Sequence, residues 1–177
     1  MLLKKVNLIA PDLYQEALCS LFAENVFHTN AYMYVQVNKR DPKRVREQIY
    51  AGKMAEYAVF NFLKDKYDKV SEPDIMIYDA HKKSFSADII VDDKHMHIKS
   101  CTYGTKYPNS WLFQPTDKIT TSPSELDMLA LVIVEPPKNF SCYFVKALDV
   151  LDMYENPMKE ELVKLGKKML YESTISK

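Results

Sequence analysis

The sequence predicts an α/β fold in which helices flank a central mixed β-sheet, and three features carry this prediction. The first is a hairpin pattern over residues 86–100, in which two β-rich arms flank an Asp-Asp-Lys turn. The second is a long amphipathic helix that starts at Asp41. The third is an apolar run over residues 126–134, whose length and composition suit a strand buried on both faces of a sheet.

The hairpin pattern divides its side chains between two faces of the sheet. A loop made by Asp93 and Lys94 pairs Asp88 with Lys99. Because side chains alternate with a period of two, one face holds Asp88, Ile90, His97 and Lys99, and the other holds Ile89, Val91, Met96 and Ile98. The second face is wholly apolar and is expected to pack on the core. The first face therefore presents a carboxylate, an imidazole and an ammonium group as a candidate site.

The long helix is predicted over residues 41–66, with Asp41 as its N-cap and Pro42 at its first position. Glu56 falls on the apolar stripe of this helix. A buried carboxylate without a partner is costly, so it usually shifts its pKa or binds a cation. A role as a metal ligand explains this placement; in the alternative, Glu56 lies at the edge of the stripe and pairs with Lys53 or Arg46.

These residue types are those that a metal-dependent phosphodiesterase needs. Carboxylate oxygens, a carbonyl group and waters bind Mg²⁺, which stabilises charge at a phosphate and lowers the pKa of a bound water. Asp88 is predicted to bind the metal, with His97 and the backbone carbonyl of Ile98 as further ligands. Lys99 is predicted to orient the attacking water or to stabilise the developing anion.

Asp88, a short turn and then His97-Ile98-Lys99 resembles the motif of the PD-(D/E)xK nuclease superfamily. The resemblance implies a restriction-endonuclease-like core, hydrolysis of DNA phosphodiester bonds, and Mg²⁺ or Mn²⁺ as the cofactor. It also implies that Glu56, which matches a glutamate of the family's first core helix, joins Asp88 around the metal. His97 departs from the family pattern, which has Glu, Asp or Gln there, and an imidazole favours softer ions than Mg²⁺.

Other segments complete the predicted order of elements. A first strand is predicted at residues 73–79, where Asp74 is a secondary metal candidate, with a turn at 80–84. The remaining predictions are a helix at 14–27, an extended stretch at 32–37, a strand at 140–145, a helical turn at 147–151 and a helix at 157–171. One domain is expected, with an N-terminal helix and extended segment (1–40), a nuclease-like core (41–147) and a C-terminal helix (148–177).

Two regions are candidates for contact with DNA. All three arginines lie within seven residues, beside two lysines, at the start of the long helix; the predicted contacts there are Arg40, Lys43, Arg44 and Arg46. Residues 101–125 are predicted to form a loop or an irregular helix. The candidate DNA contacts in this segment are Tyr103, Lys106, Tyr107, Trp111, Gln114 and Lys118. For Trp111, a place in the core is preferred.

Composition limits the remaining classes of function. Twenty-four basic and 24 acidic residues balance, so a focused cleft is favoured over a general DNA coat. With three glycines in the chain, a glycine-rich nucleotide-binding loop is excluded. The apolar run is too short to span a bilayer, and three cysteines without CxxC spacing favour a reducing, cytoplasmic setting. A homodimer is a possible partner arrangement, because cutting both strands of a duplex needs two sites.

Two alternatives to a nuclease stay open. His97 motivates a catalytically inactive module with the nuclease fold that binds DNA or a protein. His95 and His97, which share a strand face, motivate a Zn²⁺ site completed by His28 or His81 through folding.

Overall fold

The structure, a computed structural model, describes residues 3–32, 41–78 and 87–176. Its strands are β1 (Val6–Asn7), β2 (Ile89–Val91), β3 (Lys94–Thr102), β4 (Ser110–Phe113), β5 (Asp127–Glu135), β6 (Asn139–Lys146) and β7 (Lys168–Tyr171). Its helices are α1 (Leu13–Tyr32), α2 (Pro42–Leu63), α3 (Lys118–Thr121), α4 (Glu160–Lys164) and α5 (Glu172–Ile175), with a 3₁₀ helix at Ala147–Met153.

Five strands form a mixed sheet in the order β1-β6-β5-β3-β2. β3 lies parallel to β5, whereas the β2–β3, β5–β6 and β1–β6 pairs are antiparallel. The segment that contains α3 connects β3 to β5, as a parallel pair requires a crossover. The fold class is therefore α/β with a central mixed sheet, as the sequence predicts.

Each face of the sheet covers a separate hydrophobic core. On one face, α2 packs Met54, Ala58 and Val59 against residues of the β2–β3 hairpin and of β5 and β6. On the other face, β4, β7, the 3₁₀ helix and α5 cover the alternate side chains of β5 and β6. β5 is buried on both sides, which explains why its sequence is apolar without alternation.

α2 begins where its capping residues predict. The carboxylate of Asp41 accepts a hydrogen bond from the N–H of Lys43 at 3.0 Å, and Pro42 occupies the first turn. α1 packs along α2, and the two helices are joined by a buried pair of hydrogen bonds between the amide groups of Gln15 and Asn61.

Most of the predicted elements are confirmed. The helices at the N-terminus and at Asp41, the hairpin, the two central strands and the helical turn after β6 are present. Trp111 is fully buried and donates its indole N–H to the carbonyl of Val132 at 3.0 Å, so the core interpretation is correct. Of the predicted extended stretch, only Tyr32 is described, at the end of α1; residues 33–37 and the predicted turn at 80–84 lie outside the described ranges.

Three predictions about elements are wrong. The strand expected at 73–79 is absent from the part described, up to Tyr78, and residue 70 instead bridges to Val91. The C-terminal helix is reduced to α4, and β7 follows it. Residues 101–125, expected to be irregular, contain β4 and α3, and β4 pairs with β7 in a second small sheet.

The hairpin has the predicted faces but not the predicted register. Its loop is Asp92-Asp93, and Val91 pairs with Lys94. Asp92 adopts a positive φ of 54°, and its carboxylate accepts a hydrogen bond from the N–H of Lys69. The register is shifted by two residues from the prediction, and an even shift keeps the side chains of β2 and β3 on their predicted faces. Asp88 lies outside β2, and its carboxylate contacts the backbone of Ile98 instead of sharing the face of Lys99.

Candidate functional site

The carboxylate of Asp88 lies where the β2–β3 ladder ends. The N–H of Asp88 donates to the carbonyl of Met96 at 3.0 Å, and the Oδ2 atom of Asp88 accepts from the N–H of Ile98 at 2.7 Å. The carboxylate of Asp88 thus accepts the hydrogen bond from β3 that a backbone carbonyl would accept if β2 continued. This contact holds a carboxylate against the residue between His97 and Lys99. Ile98, whose carbonyl is predicted to bind a metal, contacts Asp88 through its N–H.

Glu56 approaches the same region from α2. Its side chain is only 16% exposed, and its Oε2 atom lies 2.6 Å from the Nζ atom of Lys53. Burial raises the pKa of Glu56 to about 7; the charge of Lys53 opposes this shift, whereas the negative charges of Asp88 and Asp74 add to it. The pairing with Lys53, an alternative at the sequence level, is therefore present, together with the electrostatic influence of two other carboxylates.

Asp74 is held by local hydrogen bonds and does not lie on a strand. Its carboxylate accepts from the N–H of Met76 and from the hydroxyl of Tyr78, both at 2.8 Å. Its backbone carbonyl accepts from the ammonium group of Lys53 at 2.7 Å. The preceding Pro73 has no N–H for a sheet ladder, and the Asp74 side chain turns the chain, which explains the missing strand.

Lys99 projects from the opposite face of β3, away from α2. Its Nζ atom lies 3.0 Å from the Oδ2 atom of Asp117 and 5.4 Å from the ring centroid of Phe113. The predicted pairing of Lys99 with Asp88 across the hairpin is not made, because of the shifted register. The Lys99 side chain is 28% exposed, so its ammonium group is held by a carboxylate and a ring while the side chain still reaches solvent.

His97 and His95 converge on one carboxylate. The Nε2 atom of His97 and the Nδ1 atom of His95 both lie 3.3 Å from the Oδ1 atom of Asp127, the first residue of β5. Burial alone would raise the pKa of Asp127, but hydrogen bonds from Ser124 and the nearby His97 ring lower it overall. The contact orients the His97 ring toward β5.

The site offers carboxylate oxygens to a metal ion but no complete set of protein ligands among the described residues. Within residues 3–32, 41–78 and 87–176, no group of three His, Cys, Asp or Glu side chains has an arrangement able to hold one. His28 pairs with Glu24 on α1, and His81 lies outside the described ranges, so the structure gives no completed zinc site. The carboxylates Glu56 and Asp88 still provide the hard oxygen donors that Mg²⁺ takes one or two at a time, with waters completing its shell.

The residues predicted to contact DNA are dispersed. Arg46 stacks on Phe27 at 4.7 Å and pairs with Glu24, which joins α2 to α1. Lys43 forms an exposed pair with Glu47 at 4.0 Å, and Arg40 lies outside the described ranges. Arg44 lines a cavity, and Lys106 flanks the ring of Tyr107, which lines the same cavity. Gln114, exposed, lies near Lys99, since its N–H and Lys99 share Asp117.

Sequence reasoning missed the partners of the site. Asp117 and Asp127, which hold Lys99 and His97, lie 18 and 30 residues from them along the chain. Lys53, expected only as one of two alternative partners of Glu56, is buried, and its ammonium group lies 4.4 Å from the ring centroid of Phe22. The available signal was weak: Asp117 precedes a short helix, and Asp127 is the one charged residue within the apolar run.

The chain has no match among protein-family models, curated proteins or solved structures. None of the helices in the described ranges has both the length and the apolar character needed to cross a bilayer.

Proposed function

We propose that this protein is a divalent-metal-dependent DNA endonuclease with a restriction-endonuclease-like core. One observation carries the proposal: the Asp88 carboxylate accepts a hydrogen bond from the backbone of Ile98, between His97 and Lys99. This contact joins the two arms of the predicted motif at one point of the sheet. The order of α2, the hairpin, the crossover and the parallel strand β5 is compatible with such a core.

Glu56 and Asp88 are the residues that would hold Mg²⁺ or Mn²⁺. Burial and the surrounding carboxylates raise the pKa of Glu56 to about 7, and a bound cation would favour its charged form. A bound metal of this kind stabilises charge on a phosphate and lowers the pKa of a coordinated water. His97, whose Nε2 atom contacts Asp127, acts in this proposal as a positioning residue or as a weak ligand.

Besides the charge of a bound metal ion, the proposal uses the positive charge of one side chain, Lys99. Asp117 and the ring of Phe113 hold its ammonium group in place, so little side-chain freedom has to be lost when a phosphate arrives. In this proposal the phosphate binds beside Asp88 at the edge of β3 beyond β2, where Lys99 reaches it from the face opposite α2. A fixed ammonium group there stabilises the developing anion and orients the attacking water. Removal of one such donor in other enzymes lowers the rate by about 100- to 1,000-fold.

The test is cleavage of supercoiled plasmid by the wild type and by Asp88→Asn, each with Mg²⁺, with Mn²⁺ and with chelator. Asp88→Asn removes the charge but leaves a side-chain oxygen able to accept from Ile98, so the fold should be kept. We expect metal-dependent nicking or linearisation by the wild type and its loss in the variant. Lys99→Ala should lose about 100-fold or more in rate.

Asp93→Asn is the matched control, because it changes an exposed carboxylate of the same hairpin at the turn. It should cut at the wild-type rate. Wild-type cleavage by a clean preparation of Asp88→Asn would contradict the site assignment, and so would equal losses in Asp88→Asn and Asp93→Asn.

A catalytically inactive module that binds DNA or a protein is the second candidate. It is favoured by the imidazole of His97 in place of a carboxylate and by the missing three-ligand group in the described part of the chain. A folded wild type that cuts no plasmid in either metal, and that shows no heat of Mg²⁺ or Mn²⁺ binding in calorimetry, would support it.

A further inference from the structure

A cavity of about 580 Å³ lies between α2, β3 and the C-terminal segment. Its walls are the N-terminal half of α2, the end of β3, the segment leading into β4, and parts of α4 and β7. Its volume falls within the range of about 300–1,000 Å³ that encloses small ligands in other proteins. The function proposed above does not use this cavity.

Two elements of the candidate site, α2 and β3, also line the cavity. Ala51 lines it, and Glu56 lies five residues further along α2, an axial rise of about 7.5 Å. Ser100 also lines it, two residues or about 7 Å along β3 from Ile98, which holds Asp88. A flexible strand that passes the site can therefore reach the cavity.

The charged groups of the cavity favour an anion. Arg44 and Lys159 line it, and Arg44 makes no ion pair within the described part of the chain. Glu47 is the acidic residue of the lining, and it lies 4.0 Å from Lys43. Guanidinium and ammonium groups are the usual protein contacts of nucleic-acid phosphates.

Tyr107 gives the cavity an aromatic surface. Its side chain is 38% exposed, and the ammonium groups of Lys106 and Lys159 lie 5.2 and 5.1 Å from its ring centroid. Desolvation opposes the shift, but these two charges lower the pKa of the Tyr107 phenol overall. An exposed ring flanked by cations is the combination that stacks a base and holds its phosphate.

We infer that this cavity binds an unpaired nucleotide of a DNA substrate, with the base on Tyr107 and the phosphates on Arg44 and Lys159. The inference rests on the proposed function and names its substrate as DNA with a single-stranded tail or branch beside the cleavage site. A base that is paired in a duplex is stacked between its neighbours and presents no free face to Tyr107.

The test measures binding in chelator, so that no cleavage occurs, by fluorescence anisotropy of three labelled DNA duplexes. One duplex is blunt, one carries a short thymidine tail, and one carries a tail of the same length made of abasic residues. We expect the thymidine tail to tighten binding by about tenfold over the blunt duplex, with most of this gain lost for the abasic tail.

Two pairs of variants assign the gain to the cavity. Tyr107→Ala should lose about tenfold for the thymidine tail, whereas Tyr14→Ala, a 71% exposed tyrosine on α1 outside the lining, should bind as the wild type does. Lys159→Ala should lower the slope of log affinity against log salt by about 0.7, the value for one contact to a single strand. Lys164→Ala, on α4 but outside the lining, should keep the wild-type slope.

Equal affinity for the tailed and blunt duplexes would overturn the inference, as would equal losses in Tyr107→Ala and Tyr14→Ala or no binding of any of the three duplexes. If the protein cleaves plasmid but binds tailed and blunt duplexes equally, only this inference is overturned, and the proposed endonuclease activity is supported. If binding of the tail depends on Tyr107 but the protein cleaves no DNA, nucleotide binding in the cavity is supported and the proposed endonuclease activity is contradicted.

Discussion

The titration of Glu56 records the balance of forces on one buried side chain. Lys53 stabilises its charge at 2.6 Å, yet burial and the charges of Asp88 and Asp74 outweigh this and raise the pKa to about 7. A carboxyl group of this kind stabilises the folded state fully below its unfolded pKa, near 4.5, because the folded state holds the proton more tightly. That contribution is lost as the pH rises through about 7.

We predict that Glu56→Gln removes this pH dependence. The difference in unfolding free energy between the variant and the wild type should change by up to about 3 kcal/mol between pH 4.5 and pH 7, in favour of the variant at the higher pH. Urea denaturation in chelator at a series of pH values measures it. Glu47→Gln, an exposed carboxylate of the same helix, should follow the wild type. Parallel profiles for Glu56→Gln and the wild type would contradict the prediction.

The second prediction at this scale concerns Asp117, which holds the ammonium group of Lys99 at 3.0 Å. Asp117→Asn keeps an oxygen for the N–H of Gln114 but removes the charge that fixes Lys99. For the proposed nuclease activity, we expect single-turnover DNA cleavage to slow by about tenfold, since misplacement of a charged group weakens its effect in the transition state. Asp152→Asn, an exposed carboxylate on the 3₁₀ helix, is the control. An unchanged rate in Asp117→Asn would separate this ion pair from catalysis.

At the scale of elements, the hairpin shows how far a periodic pattern determines structure. Alternation predicts the faces of β2 and β3 correctly, because burial of Ile89, Val91 and Met96 against α2 selects them. The periodic pattern does not determine which two residues form the loop, and the loop is Asp92-Asp93 instead of the predicted Asp93-Lys94. Lys69 lies beside the outer edge of β2. Two hydrogen bonds between Lys69 and Asp92 favour the observed turn.

We predict that the turn depends on the backbone of Asp92. Asp92→Val should destabilise the protein by about 1–3 kcal/mol, because a β-branched residue at φ 54° is strained and the bond to Lys69 is lost. Asp93→Val is the matched control at the next position, which has no positive φ, and should cost less than 1 kcal/mol by rough estimate. Thermal or urea denaturation measures both. Equal losses in the two variants would show that the turn conformation at Asp92 is not a constraint.

The C-terminal segment shows a pattern that long-range pairing overrides. Apolar residues at helical spacing predict one helix over 157–171, but Gly166 with φ 67° follows α4, and residues 168–171 become β7. In β7, Leu170 and Tyr171 are buried against β4. The partner strand, some 60 residues earlier, supplies the backbone hydrogen bonds that local sequence cannot foresee.

At the scale of the whole molecule, one polar network joins the two ends of the chain to the sheet. The carboxylate of Glu172 accepts from Lys5, from the hydroxyl of Tyr143 at 2.7 Å and from the amide of Asn109 at 2.8 Å. Burial alone would raise the pKa of Glu172, but these three donors lower it overall. A lowered pKa stabilises the fold above about pH 4.5, and this stability is lost as the pH falls through the folded pKa.

We predict that Glu172→Gln destabilises the protein by about 1–3 kcal/mol at neutral pH, because hydrogen bonds to a charged group are lost. The difference from the wild type should shrink as the pH falls below about 4.5, opposite in sense to Glu56→Gln. Urea denaturation across the same pH series measures it. Glu161→Gln, exposed on α4, should leave stability unchanged at every pH. A constant difference between Glu172→Gln and the wild type would contradict the assignment.

The sequence by itself determined the local features: the cap of α2 at Asp41, the faces of the hairpin, and the buried strand β5. Each depends on a periodic pattern or a capping residue within a short stretch of chain, so it can be predicted without knowing which distant residues it contacts. Only the tertiary structure decided the partners, with Asp117 on Lys99 and Asp127 on His97. It also decided the hairpin register and the pairing of β4 with β7, because these contacts join residues that are distant along the chain and form only when the helices and strands pack together.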